Sequence, residues 1–150
     1  MAYAATVTVT PITAHLGDRV QEGFSVTIAE TGAKNTDQWD TAGAGTGVTL
    51  AGVTDTDWLP AMGRIVRYVA DLTAGTGTTL DPVVGTVTDP ASTPTSVVLE
   101  NGTAADPIDL QPADGAAYYA PTGILYGRNV VNDATADHAI TTKILILSGW

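Results

Sequence analysis

The chain has 150 residues, 16 acidic against 6 basic side chains, a formal net charge of −10 and no cysteine. A chain of this length can bury its own core as one domain, residues 1–150, without a disulfide or metal staple. Disulfide frameworks, cysteine-based zinc sites and thiol nucleophiles are excluded, and the negative field argues against nucleic acid and anionic membrane as partners.

No stretch approaches the ~18 apolar residues of a membrane span. Residues 1–11 lack the charged-then-apolar pattern of a secretion signal, so the expectation is a chain made in the cytoplasm. Threonine stands out at 25 residues, beside 16 glycines and 8 prolines, while lysine occurs only at Lys34 and Lys143. Thr is β-branched and suits a half-exposed strand surface; Gly and Pro supply turns. Helical surfaces draw on Lys and Glu, which are scarce here.

In chain order, Ala5–Thr10 alternates small or apolar with polar residues, the period-two mark of a strand with one buried face. Pro11 ends it or marks an edge strand. Phe24, Val26 and Ile28 alternate with Ser25 and Thr27 as a second strand. Residues 32–40 read as a polar loop holding Trp39, the Gly-rich run 41–47 leads into a short strand at Val48–Val53, and 55–60 is a turn. Residues 64–72 fit helical spacing through Ile65, Val66 and Val69 and strand spacing through Val66, Tyr68, Ala70 and Leu72; Pro60 and Gly63 favour the strand. Val83–Thr88 and Ser96–Glu100 are further strands, Asn101-Gly102 is a turn dipeptide, and 104–115 reads as a surface loop. Tyr118–Gly127 and His138–Leu147 close the chain as strands around a loop at 129–137, the last apolar enough to be covered on both faces. Some eight short strands with frequent turns predict an all-β, single-domain β-sandwich, jelly-roll-like, or a β-tulip-like barrel of short antiparallel strands.

Few residues offer chemistry. The glycine runs at 43–47 and 75–77 lack the lysine and following helix of a phosphate loop and read as turns. His15 and His138 are the only histidines, and neither has a metal-binding spacing around it. Asp37-x-x-Asp40, Asp55-x-Asp57 and Asp106-x-x-Asp109 offer oxygens for calcium, but none has the twelve-residue loop pattern, and Asp also serves turns. No serine lies in a nucleophile elbow. The expectation is therefore no catalytic set, no metal and no cofactor.

The ends carry more. Residues 1–10 are uncharged and strand-prone, a possible N-terminal arm with Tyr3, Val7 and Val9 as its larger side chains; it can add to a neighbour's sheet or serve as a strand of its own domain. Trp150 can anchor an interface or pack on its own sandwich. Tyr3, Val7, Val9 and Trp150 are the candidate interface residues.

The opening Thr-Val-Thr-Val-Thr, then Gly17-Asp18-Arg19 and Thr36-Asp37-Gln38-Trp39-Asp40-Thr41, resembles the Thr/Gly/Ala-rich structural proteins of tailed bacteriophages. The closing Pro112-Ala113-Asp114-Gly115-Ala116-Ala117 and Gly123-Ile124-Leu125-Tyr126-Gly127 are similar in texture to lambda-type capsid decoration proteins. The first hundred residues depart from the lambda-type pattern. The resemblance implies a non-enzymatic decoration (cement) protein, often a homotrimer, that binds the major capsid protein on the outer surface of the expanded virion head. A tail-tube or neck ring protein is the alternative, and a carbohydrate- or Ca-binding host-attachment β-sandwich the third.

Overall fold

Alternation of buried and exposed side chains, continued over strands of up to 15 residues, shapes this chain. The structure, a computed structural model, describes residues 3–16, 18–41, 59–89, 93–133 and 137–149. The expected strand at Val48–Val53, the glycine run 43–47, the Asp55-x-Asp57 pair and Trp150 lie outside the described residues, as does the side chain of His15.

The chain opens with a long hairpin, β1 (Ala4–Leu16) and β2 (Arg19–Ala33), paired from Ala4↔Thr31 to Leu16↔Arg19 without a slip. The strand runs on through Pro11, which an edge strand tolerates because its outer side needs no donor. β3 (Trp39–Asp40) is followed by β4 (Met62–Ala74), β5 (Thr79–Val87), β6 (Thr95–Glu100) and β7 (Ala104–Ala105). Then come β8 (Ile108–Leu110), β9 (Ala116–Tyr119), β10 (Tyr126–Val131) and β11 (His138–Ser148). There is no helix among the described residues.

The strands form two antiparallel sheets packed as a β-sandwich. The larger, six-stranded sheet has the order β1-β2-β11-β4-β8, with β9 also on β4. The smaller, five-stranded sheet has the order β3-β10-β5-β6, with β7 on β5. Inward side chains of both fill one core, including Val26, Ile28, Trp39, Ile65, Tyr68, Leu80, Leu125 and Ile146. Trp39 is fully buried and lies against Gly127, where a Cβ would come within 2.0 Å of its ring.

Several expectations are corrected. The 104–115 segment is not all loop: Ile108 alternates with Asp109 and is buried under β4. Residues 118–127 are not one strand, because Ala120 and Gly123 turn the chain (φ 71° at Gly123) from the larger sheet into the smaller. β10 takes up residues 126–131, part of the expected loop, since Gly127, Asn129 and Val131 all face the core side. β11 is not covered on both faces: it lies between β2 and β4 within its sheet, but Lys143 is exposed and Leu145 half-buried on the outer face.

β4 resolves its ambiguous periodicity with a bulge. Leu145 opposes Arg67 and Ile146 opposes Ile65, leaving Val66 extra. Both Ile65 and Tyr68, three positions apart, thereby point inward and are fully buried.

Candidate docking surface and buried polar core

Of the candidate interface residues, Tyr3, Val7 and Val9 turn their side chains into the sandwich core, at 2–4% exposure. Their odd-numbered parity on β1 faces the second sheet, while Thr6, Thr8 and Thr10 are exposed. Residues 4–10 are strand of this domain, paired with β2.

The Asp pairs act locally. Asp37 Oδ2 accepts a hydrogen bond from Lys34 N at 2.9 Å, and Asp106 Oδ1 accepts one from Leu72 N at 2.8 Å. Asp109 takes a two-pronged bond from Arg67, with distances of 2.7 and 3.1 Å. That pairing holds the Asp109 carboxyl below the usual carboxylate range. His138 is buried on β11 with Nδ1 3.2 Å from the Ala33 carbonyl. Gly75 and Gly77 pack around its ring; a Cβ on Gly75 would lie 2.5 Å from it. Among the described residues no three His, Asp or Glu side chains gather as a metal site.

The polar feature missed in the sequence is inside the core. Glu30 on β2 is 4% exposed, and Tyr3 Oη donates to its Oε2 at 2.9 Å. Its Oε1 has no hydrogen-bond partner. Burial pushes the Glu30 carboxyl up to about 7, only partly offset by the Tyr3 bond and the nearby Asn129 amide. Beside it, Tyr68 Oη donates to Asn129 Oδ1 at 2.7 Å, and Asn129 Nδ2 donates to Thr142 Oγ1 at 3.1 Å. Burial and the Glu30 charge raise the Tyr3 and Tyr68 phenols, so both remain hydrogen-bond donors at neutral pH. The group ties Tyr3, just before β1, and β2, β4 and β11 to β10 of the opposite sheet. One signal existed: Glu30 shares the inward parity of Val26 and Ile28.

The outer face of the larger sheet is open, with Thr8, Ala29, Arg67 and Lys143 exposed on it. Leu145 opposes Ser25 on one side and Arg67 on the other; Lys143 opposes Thr27 and Val69; Thr141 opposes Ala29 and Asp71. A shallow open groove runs between Lys143 and Arg67 over Val69, Leu145 and Ser25, and a second one continues past Asp71 and Thr73. Neither groove brings together a nucleophile, a base and an oxyanion donor.

No protein-family model matches the chain, and no curated protein matches it. Among the described residues no helix is long and apolar enough to cross a membrane.

Proposed function

We propose that the protein is a non-enzymatic capsid decoration protein of a tailed phage, held on the outer surface of the expanded head through the major capsid protein. The observation that carries this reading is the uncovered outer face of the larger sheet, with its Thr, Ser and Val rows interrupted by few charges. Flat, half-apolar sheet surface offers contact area without a cleft for a small substrate. A protein that binds only the expanded lattice stabilises that state by its binding free energy. Many copies on one shell add up, which lets modest single contacts resist internal pressure. The net charge of −10 suits an outward-facing protein at high local concentration. The resemblance in the chain's ends supports the phage assignment and implies a homotrimer.

The test is to mix purified protein with expanded, undecorated capsids. Co-sedimentation and a raised capsid melting temperature are expected; absence of both removes the reading.

A second reading, a tail-tube or neck ring protein, is favoured by the opening hairpin. β2 pairs with β11 only as far as Gly23↔Leu147, so among the described residues 13–16 and 19–22 form backbone ladder pairs only with each other, with Gln21 Nε2 donating to the Ser148 carbonyl at 2.9 Å. A two-stranded hairpin is marginal alone in water, and a ring neighbour would cover it through head-to-tail contact. Six-fold rings or tubes in electron micrographs of the concentrated protein would favour this reading over decoration.

A further inference from the structure

The chain holds four asparagines, Asn35, Asn101, Asn129 and Asn132. Three have both ends of the side-chain amide tied. Asn35 donates to the Val131 carbonyl at 2.7 Å and accepts from Val131 N at 2.8 Å. Asn129 sits between Tyr68 and Thr142 in the core. Asn132 Oδ1 accepts from Thr78 N and Thr79 N, and its Nδ2 donates to Thr78 Oγ1. Asn101 differs. It is exposed, and its side chain makes no hydrogen bond among the described residues.

The backbone supplies the reason. β6 and β7 are two pieces of one edge, both paired with β5. Val83 opposes Glu100 and Leu80 opposes Ala104, so Asp81 and Pro82 face three residues, Asn101, Gly102 and Thr103. The extra residue throws this stretch out of the ladder. Gly102 takes a φ of 74°, which glycine adopts without steric cost. Nothing lies within 4 Å of where a Cβ on it would stand. Its N–H donates no hydrogen bond among the described residues. A free amide nitrogen thus follows a free carboxamide, with open space for a ring to close.

We propose that Asn101-Gly102 is a self-modification site, at which Asn101 is deamidated through a cyclic imide with water as the co-reactant. The Gly102 nitrogen gives its proton to solvent base and attacks Asn101 Cγ. The N–Cγ bond forms, the Cγ–Nδ2 bond breaks, and the side-chain nitrogen takes up a proton and leaves as ammonia. Water then opens the ring. Attack at Cγ gives an aspartyl residue; attack at the Asn101 backbone carbonyl carbon gives an isoaspartyl residue, whose main chain runs through Cβ and Cγ. One water is consumed, one ammonia is released, and nothing is oxidised or reduced. Either product adds a negative charge to the formal −10. It sets a third carboxylate beside Glu100 and Asp109, which line the same shallow groove. Asp114-Gly115 offers a similar pair of groups, but there Gly115 N donates to the Pro112 carbonyl at 3.0 Å and is held. The site does not depend on capsid binding.

Peptide mapping by mass spectrometry tests it, with enzymatic isoaspartyl methylation reporting the isomer. The purified protein is held at pH 8, folded in one sample and unfolded in guanidinium in the other. Asn101 is expected to exchange its amide for an acid at rates within about tenfold of each other in the two samples, because the fold does not protect it. In the folded sample Asn35, Asn129 and Asn132 are expected to lag Asn101 by about tenfold or more, since their hydrogen bonds must first open. Asn101→Gln, whose longer side chain closes a less favourable ring, is expected to abolish deamidation at this position. The proposal is overturned if Asn101 keeps its amide, if folding slows its conversion by more than about tenfold, or if Asn35 or Asn132 converts as fast in the folded protein. Deamidation that persists at this position in Asn101→Gln also overturns it.

Discussion

Replacing Glu30 by glutamine tests the reading of the core most directly. The Glu30 carboxyl titrates from 4.5 in an unfolded chain to about 7 in the fold, because burial penalises its charged form. Between these values the unfolded chain has released the proton while the folded chain still holds it. The folded state therefore binds more protons, and stability falls as pH rises through this window. It is fully present below 4.5 and lost by the time pH passes about 7. At ~1.4 kcal/mol per pH unit, the loss comes to about 3 kcal/mol. Glutamine keeps an acceptor for Tyr3 Oη but cannot ionise. It places an amide where Oε1 now lies without a partner, which costs on the order of 1–2 kcal/mol at all pH values. Urea denaturation of both proteins at pH 5 and pH 8 reads the difference. The wild type is expected to lose about 3 kcal/mol between the two pH values, and Glu30→Gln to lose little of it. Asp109, held low by Arg67, contributes only in more acidic solution and does not confuse the comparison. A variant that keeps the full wild-type fall would refute the assignment to Glu30, as would a wild type that gains stability from pH 5 to 8.

Three further outcomes follow from the packing. Gly127→Ala sets a methyl 2.0 Å from the buried Trp39 ring; a loss of about 1–3 kcal/mol or more is expected in urea unfolding. Tyr68→Phe removes the donor to Asn129 Oδ1, leaves that buried oxygen unsatisfied and costs about 1–3 kcal/mol in the same assay. Deleting Val66 removes the bulged residue, so the strand keeps either Ile65 or Tyr68 inward but not both; loss of cooperative thermal unfolding is expected.

The all-β character and the places of β1, β2, β4, β5, β6 and β11 were legible in the sequence. Period-two alternation, Asn101-Gly102 and the Thr-rich composition are local signals, and a strand with one buried face writes its pattern into adjacent residues. The surface that the proposed function uses was not legible, nor was the polar core. Tyr3, Val7 and Val9 are apolar at alternate positions whether they face a partner or their own second sheet; the strand order, with β11 between β2 and β4, decides that they face inward. Glu30 reads as a solvated acid until Tyr3, 27 residues away, closes over it. Lys143 looked like one charge in a buried strand, and only the sheet register sets it beside Arg67 and Val69 on an open face. Alternation along a strand says that it has two faces. Which face is dry depends on residues distant in the chain, and those contacts exist only once the two sheets have packed.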